Sequence, residues 1–221
     1  MKTISKKRNI IGLFPGRFQL PHKGHKYVYD KLSQITDKTY IVMSEAISKD
    51  IENNPFTIHD RIKLFKYIGI PKEKIITVVG GPYNSYNIIN SSLITNINTI
   101  LLYVIGEKDE DRLTGGSYFE KLHSDFDKIN NFKDLPSIKK NIQECCYTWK
   151  HKAYYIVMPN YYSYIKQTEQ EKVMCATNLR SMYKQHTNTP ELEEKFIKGL
   201  YTFKNKKDIK VIRDILNSKL K

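Results

Sequence analysis

The segment from Ile10 to Leu32 constrains the fold of this chain more than any other. An apolar run, Ile10-Ile11-Gly12-Leu13-Phe14, is short enough for one buried strand. It leads into Gly16-Arg17-Phe18-Gln19-Leu20-Pro21-His22-Lys23-Gly24-His25, after which Tyr27, Val28, Asp30, Lys31 and Leu32 read as the first turns of a helix. Strand, tight turn and helix in that order open a β-α unit. His22 and His25 stand three positions apart at the predicted helix start, with Lys23 and Gly24 between them. Backbone N–H groups converge there and the helix dipole favours an anion, a geometry suited to a nucleoside triphosphate.

The same alternation continues through the first half. Strands are expected at Ile10 to Phe14, Thr39 to Ser44, Ile75 to Val79, Ile100 to Ile105 and Tyr154 to Met158, and helices at Gly24 to Gln34, Ile58 to Ile68 and Ile88 to Asn96. This predicts a Rossmann-like α/β fold with a parallel five-stranded sheet flanked by helices. Thr57 is the expected N-cap of the second helix, which Gly69 and Pro71 close. Ligand loops of such sheets lie at the carboxyl ends of the strands, where the opening motif, the segment from Ser44, Gly80-Gly81-Pro82 and Gly106-Glu107-Lys108-Asp109 all fall. The sequence predicts one nucleotidyl-binding domain over 1–190 with an insertion at about 110–152, carrying helices at Tyr118 to Phe126 and Ile138 to Cys146. The tail, 191–221, reads as amphipathic helices packed on the same domain, with Leu192, Phe196 and Leu200, then Ile209, Ile212, Ile215 and Leu216, as apolar stripes.

Composition narrows the class. A 221-residue chain with 40% hydrophobic and 12% aromatic residues can bury a sizeable core. It has no membrane-length apolar run and no apolar signal core after Met1, and its cysteines, the adjacent Cys145 and Cys146 and a separate Cys175, form no C-x-x-C pair. A cytoplasmic protein with free thiols is expected, and a homo-oligomer is left open. The formal charge of +14 attracts polyanions, but its lysines are spread through the chain and no basic fold motif accompanies them, so nucleic acid is not the expected partner. The same field steers anionic nucleotides. Two histidines alone make an incomplete zinc site, and no protein-held metal is expected.

Holding a polyanion such as a nucleoside triphosphate needs donors and cations rather than a carboxylate dyad. His22 and His25 supply donors, Arg17 and Lys23 charge, and Gly16, Phe18 and Gly24, with Thr177 and Asn178 of a later segment, complete the expected triphosphate-binding set. A second constellation, Cys175-Ala176-Thr177-Asn178-Leu179-Arg180, offers a helix start with Thr177 as N-cap. A third, Asn54-Pro55-Phe56-Thr57 with Arg61, reads from its residues as a capped helix with Arg61 on the solvent face. Trp149 reads as packing.

G-R-F-Q-x-P-H-x-G-H resembles the first motif of the H-x-G-H nucleotidyltransferases, and is most similar to their nicotinamide-mononucleotide adenylyltransferase branch of archaeal and bifunctional bacterial type. The family places Pro-Phe-His where this chain has Leu20-Pro21-His22. The resemblance implies that Arg17, His22, Gly24 and His25 bind triphosphate. It likens Thr177 and Arg180 to the I-S-x-T-x-x-R motif that binds the β and γ phosphates, with Cys175 at the usual Ser. It likens Asn54, Phe56 and Arg61 to an N-P-F-T-x-x-E-R segment on the acceptor side, with Asp60 in place of Glu, and Gly106 and Asp109 to a turn near the adenosine. The implied activity is adenylyl transfer from ATP, with Mg2+, to nicotinamide mononucleotide, forming NAD and pyrophosphate. A cytidylyltransferase, an FAD synthetase, a phosphopantetheine adenylyltransferase and a non-catalytic nucleotide-binding module are the alternatives.

Overall fold

All five expected strands form. In the computed structural model, which describes residues 8–45, 49–84, 88, 96–114, 117–122, 135–158, 162–165, 170–173 and 175–221, they are β1 (Asn9–Gly16), β2 (Lys38–Ser44), β3 (Ile75–Val78), β4 (Thr99–Gly106) and β6 (Ala153–Met158). A sixth, β5 (Phe119–Lys121), occupies residues where the sequence predicts a helix, so the sheet is six-stranded in the order β3-β2-β1-β4-β6-β5. Phe119 sets its ring edge-on to Tyr103 at 5.1 Å, and this contact with β4 overrides the helical pattern around it. Pairing is parallel between β1 and β4, β4 and β6, and β6 and β5. The strand order therefore turns at β1 and β4, the kind of switch point beside which ligands bind in such sheets.

The chain divides into two compact units. The first, Met1–Gly16, Val28–Val42 and Ile76–Pro159, contains most of the sheet. Its core joins Ile11 and Leu13 of β1, Leu101, Tyr103 and Ile105 of β4, and Ala153 and Tyr155 of β6. Ile100, Leu102 and Val104 are buried too, so β4 is covered on both faces, as its unbroken apolar run requires. Helix α1 (Lys23–Ile35) lies so near β1 that a Cβ on Gly12 would sit 2.8 Å from Leu32 Cγ and Thr36 Cγ2. After β4 comes the short α3 (Asp111–Thr114), and the expected insertion helix forms as α4 (Leu135–Cys145). Lys139 of α4 pairs with Asp37 at 2.6 Å, and Asp37 accepts from the Ile10 N–H at 2.8 Å, which ties α4 to the sheet. The helix expected at Ile88 to Asn96 falls largely outside the described residues.

The second unit is Arg17–Tyr27, Met43–Ile75 and Asn160–Lys221; its described residues include four helices and the antiparallel pair β7 (Tyr162–Ile165) and β8 (Gln170–Val173). Helix α2 (Ile58–Tyr67) starts with the predicted Thr57 cap, completed as a capping box: the Thr57 hydroxyl accepts from the Asp60 N–H and the Asp60 carboxylate from that of Thr57. It ends before Gly69, whose φ of 82° suits a residue without Cβ. Of the predicted stripes of the tail, Phe196 and Leu200 are buried on α6 (Pro190–Leu200) beside Ile197, which the stripe did not include, while Leu192 is half-buried; Ile209, Ile212, Ile215 and Leu216 are all buried on α7 (Lys206–Leu220). Helix α5 (Ala176–His186) joins them through Tyr183, which meets Phe196 edge-on at 5.2 Å and donates to Asn217 at 2.8 Å. Buried Glu193 accepts from Lys221 at 2.6 Å and pairs with Arg213 at 3.1 Å. No helix among the described residues is long and apolar enough to cross a membrane.

Candidate active site

The turn after β1 is strained and held from outside. Phe18 has φ of 48° and Leu20 of 128°, and neither is glycine. A branched residue before proline disfavours such angles, and each costs about 1–3 kcal/mol. Three side chains from distant elements seize the carbonyls that alternate with these residues, at positions 17, 19 and 21. Arg61 of α2 donates through Nη1 to the Arg17 carbonyl at 2.9 Å, Arg180 of α5 to that of Gln19 at 2.6 Å, and the Tyr201 hydroxyl to that of Pro21 at 3.0 Å. The Gln19 amide makes a reciprocal pair with the Phe56 backbone, accepting from its N–H at 2.9 Å and donating to its carbonyl at 3.2 Å. Phe18 and Leu20 point into the protein, and Phe18 meets Phe65 edge-on at 5.1 Å.

That scaffold presents the histidine pair. The His22 carbonyl accepts from the N–H groups of His25 and Lys26, which starts α1, while His22 Nδ1 accepts from the Gly24 N–H at 3.1 Å. His22 thus caps the helix with its own ring. His25 Nδ1 accepts from the His22 N–H at 3.1 Å, and the two rings lie 3.7 Å apart between centroids, tilted by 33°. Phe18 closes on His25 edge-on at 5.0 Å. Since each Nδ1 is an acceptor, each neutral ring carries its proton on Nε2. The result is two oriented Nε2–H donors at the start of a 13-residue helix. Gly24 is buried there, and Lys23 and Arg17 are exposed. Gly16 ends β1 and belongs to the first unit.

Helix α5 contributes the second cationic element. Its N-cap is Cys175 rather than the expected Thr177, and the thiol makes no capping bond. Thr177 and Asn178 instead lie exposed in the first turn, and Arg180 is buried beneath them. Burial lowers the affinity of the Arg180 guanidinium for its proton, opposed by the nearby Cys175, yet an arginine stays charged. The Asp50 carboxyl is held below its ordinary range by hydrogen bonds from Asn53, with the charges of Arg17 and Arg180 adding to the effect.

The residues assigned to the acceptor side divide. Asn54 bonds back to the Asp50 carbonyl at 3.1 Å, closing the loop that leads to buried Phe56. Arg61 is not on the solvent face: it is 5% exposed, and besides Arg17 it holds the Thr57 carbonyl at 3.3 Å and that of Ser44 at 3.1 Å. The proton affinity of its guanidinium is lowered by burial. Gly106 and Asp109 belong to the first unit. Gly106 ends β4 with open space where a Cβ would go, while Asp109 pairs with Arg112 at 2.8 Å. Trp149 donates to the Asn96 carbonyl at 3.2 Å and packs against the core of that unit. Sequence reasoning missed the supporting roles of Gln19, Arg61 and Tyr201. Gln19 stood inside the quoted motif, but Tyr201 carries no sequence signal. Among the described residues no group of three or more His, Cys, Asp or Glu could hold a metal ion.

Residues 13–108 match the family model described as cytidylyltransferase-like. That segment holds the turn after β1 with its histidine pair and all of α2 and β4. More particularly, the chain is similar to the nicotinamide-nucleotide adenylyltransferases of Pyrobaculum arsenaticum and Caldivirga maquilingensis, each 40% identical over 57 residues, or 26% of this chain and 32% of theirs. The match thus spans about a third of the length of these curated relatives. Among solved structures, the fold is shared with Plasmodium falciparum nicotinic acid mononucleotide adenylyltransferase complexed with NaAD, at a TM-score of 0.52 and 16% identity, covering 96% of this chain and 98% of that one.

Proposed function

We propose that the chain is an adenylyltransferase that joins the AMP moiety of ATP to nicotinamide mononucleotide, forming NAD and releasing pyrophosphate. The observation that carries this reading is the histidine pair, whose Nδ1 atoms are both capped by backbone N–H groups so that both Nε2–H groups serve as donors. Its similarity to the nicotinamide-nucleotide adenylyltransferases supports the choice of acceptor.

The acceptor's 5′-phosphate oxygen attacks the α phosphorus of ATP, a new P–O–P linkage forms, and the bond to the β,γ-pyrophosphate breaks. The attacking phosphate is ionised near neutral pH, its second pKa being about 6, so no side chain need remove a proton. His22 and His25 donate to phosphate oxygens as charge builds in the transition state, and the first N–H groups of α1 add to the same field. Arg17, Lys23, Thr177, Asn178 and Arg180 hold the β and γ phosphates and the leaving pyrophosphate. Gly16, Phe18 and Gly24 give the turn its shape, and Asn54, Phe56 and Arg61 support the acceptor side, the last through the backbone it pins. Gly106 and Asp109 serve the adenosine. Mg2+ arrives as the ATP complex, in keeping with a donor set of imidazole, guanidinium and backbone N–H groups, and offsets charge on the triphosphate.

The cytidylyltransferase-like family match favours one second reading, the same chemistry with a different base or acceptor. Initial rates with ATP or CTP, each against nicotinamide mononucleotide, nicotinic acid mononucleotide, FMN and phosphopantetheine, separate the two. The highest kcat/KM with ATP and nicotinamide mononucleotide supports the reading. A higher value with any other pair replaces it, and tight ATP binding without turnover on any acceptor makes the chain a binding module.

A further inference from the structure

Tyr201 follows α6 directly, is 3% exposed, and donates its hydroxyl proton to the Pro21 carbonyl at 3.0 Å. Its backbone is fixed on both sides: its own N–H donates to the Ile197 carbonyl at 2.9 Å, and that of Thr202 to the Tyr67 carbonyl at 2.6 Å. The Pro21 carbonyl is half of a peptide group whose other half is the His22 N–H, and that N–H donates to His25 Nδ1 at 3.1 Å. A trans peptide is planar, so the direction of its carbonyl sets the direction of its N–H. One continuous path therefore runs from the Tyr201 hydroxyl through the Pro21–His22 peptide to the His25 ring, and hydrogen bonds in such a chain polarise one another. Local sequence does not orient this peptide, since Leu20 immediately before Pro21 has φ of 128°, an angle that its side chain opposes.

We propose that Tyr201 is a positioning residue for His25. By holding the Pro21–His22 peptide it fixes the ring and keeps the imidazole proton on Nε2, the atom that meets phosphate. The inference rests on the adenylyl-transfer function proposed above. It gives the tail a part in the chemistry beyond packing.

Tyr201→Phe keeps the ring and removes one hydroxyl. Tyr183→Phe is the control, because it also deletes a hydroxyl hydrogen bond, to Asn217 at 2.8 Å, without touching Pro21. Melting temperature, kcat and KM for ATP, and the 15N signals of the His25 imidazole are measured on the full chain. Both variants are expected to fold with similarly lowered melting temperatures. Tyr201→Phe alone should lower kcat about tenfold, with KM for ATP changed less than about twofold, as expected for lost alignment rather than lost binding. It should also shift the His25 signals away from the Nε2–H tautomer. Fluorotyrosine at position 201, which preserves the ring and donates more strongly, is expected to shift those signals the other way and covers the case in which Tyr201→Phe does not fold. Unmoved His25 signals, or a kcat loss no greater than that of Tyr183→Phe, would overturn the proposal. If the natural protein transfers no adenylyl group, the functional reading fails by itself, and the His25 signals still decide the role of Tyr201.

Discussion

Replacing Arg61 with methionine separates a clamp from a ligand contact. The guanidinium is 5% exposed and bonds the carbonyls of Arg17, Ser44 and Thr57 at 2.9, 3.1 and 3.3 Å. The Thr57 carbonyl also accepts from the Arg61 backbone N–H at 3.1 Å, so the substitution leaves mainly the Arg17 and Ser44 carbonyls without this donor. A hydrogen bond to a charged donor contributes about 1.5–3 kcal/mol, so two give roughly 3–6 kcal/mol. Relief of the buried guanidinium's desolvation offsets part of this, for a net loss of about 2–4 kcal/mol. In a chain of this size each kcal/mol moves the melting temperature by about 2–4 °C, so a fall of roughly 5–15 °C is expected. Because the Arg17 carbonyl flanks the strained Phe18, kcat should fall as well. Arg61→Lys should recover only a minor part, since one ammonium cannot span carbonyls that a planar fork holds. Thermal denaturation and steady-state kinetics on the three proteins measure this. An unchanged melting temperature with KM for the acceptor raised tenfold or more would refute the reasoning and make Arg61 a phosphate ligand.

Gly12→Ala should destabilise by about 1–3 kcal/mol in a denaturant titration, because the new methyl meets Leu32 and Thr36 at 2.8 Å; a neutral result would mean that α1 can move away. The adjacent cysteines should differ sharply. Burial pushes the Cys146 thiol up to about 12, whereas Cys145 is exposed. At pH 8 an alkylating reagent should modify Cys145 and reach Cys146 only on unfolding or at strongly alkaline pH, where the thiolate forms, and mass spectrometry reporting equal rates would contradict the packing.

What the sequence made legible was local. The five apolar runs became strands because each is continuous and bounded by turn residues, and Thr57 announced α2 because an N-cap lies directly before the helix it starts, although the Asp60 half of its capping box was not read. The tail stripes worked for the same reason, a period of one helix. Less legible was whatever distant contacts decide. β5 has three residues and owes its conformation to its pairing with β6 and the contact of Phe119 with Tyr103. Cys175 rather than Thr177 begins α5, an offset of two residues that a thiol unable to cap gives no reason to expect. Burial of Arg61 depends on carbonyls 17 and 44 positions away, and the bond between Tyr201 and Pro21 joins residues separated by 180. The motif marked the turn that carries the histidine pair, whereas the clamp that shapes that turn exists only after folding.

The most direct test of the central claim follows radiolabel from the α phosphate of ATP in the presence of nicotinamide mononucleotide, comparing the natural protein with His25→Ala. The natural protein should build the label into a dinucleotide with one pyrophosphate released per product. His25→Ala, with its circular dichroism preserved, should be slower by about 100-fold or more, the usual scale for losing a transition-state donor. No labelled dinucleotide from the natural protein, or undiminished turnover by His25→Ala, would contradict the account.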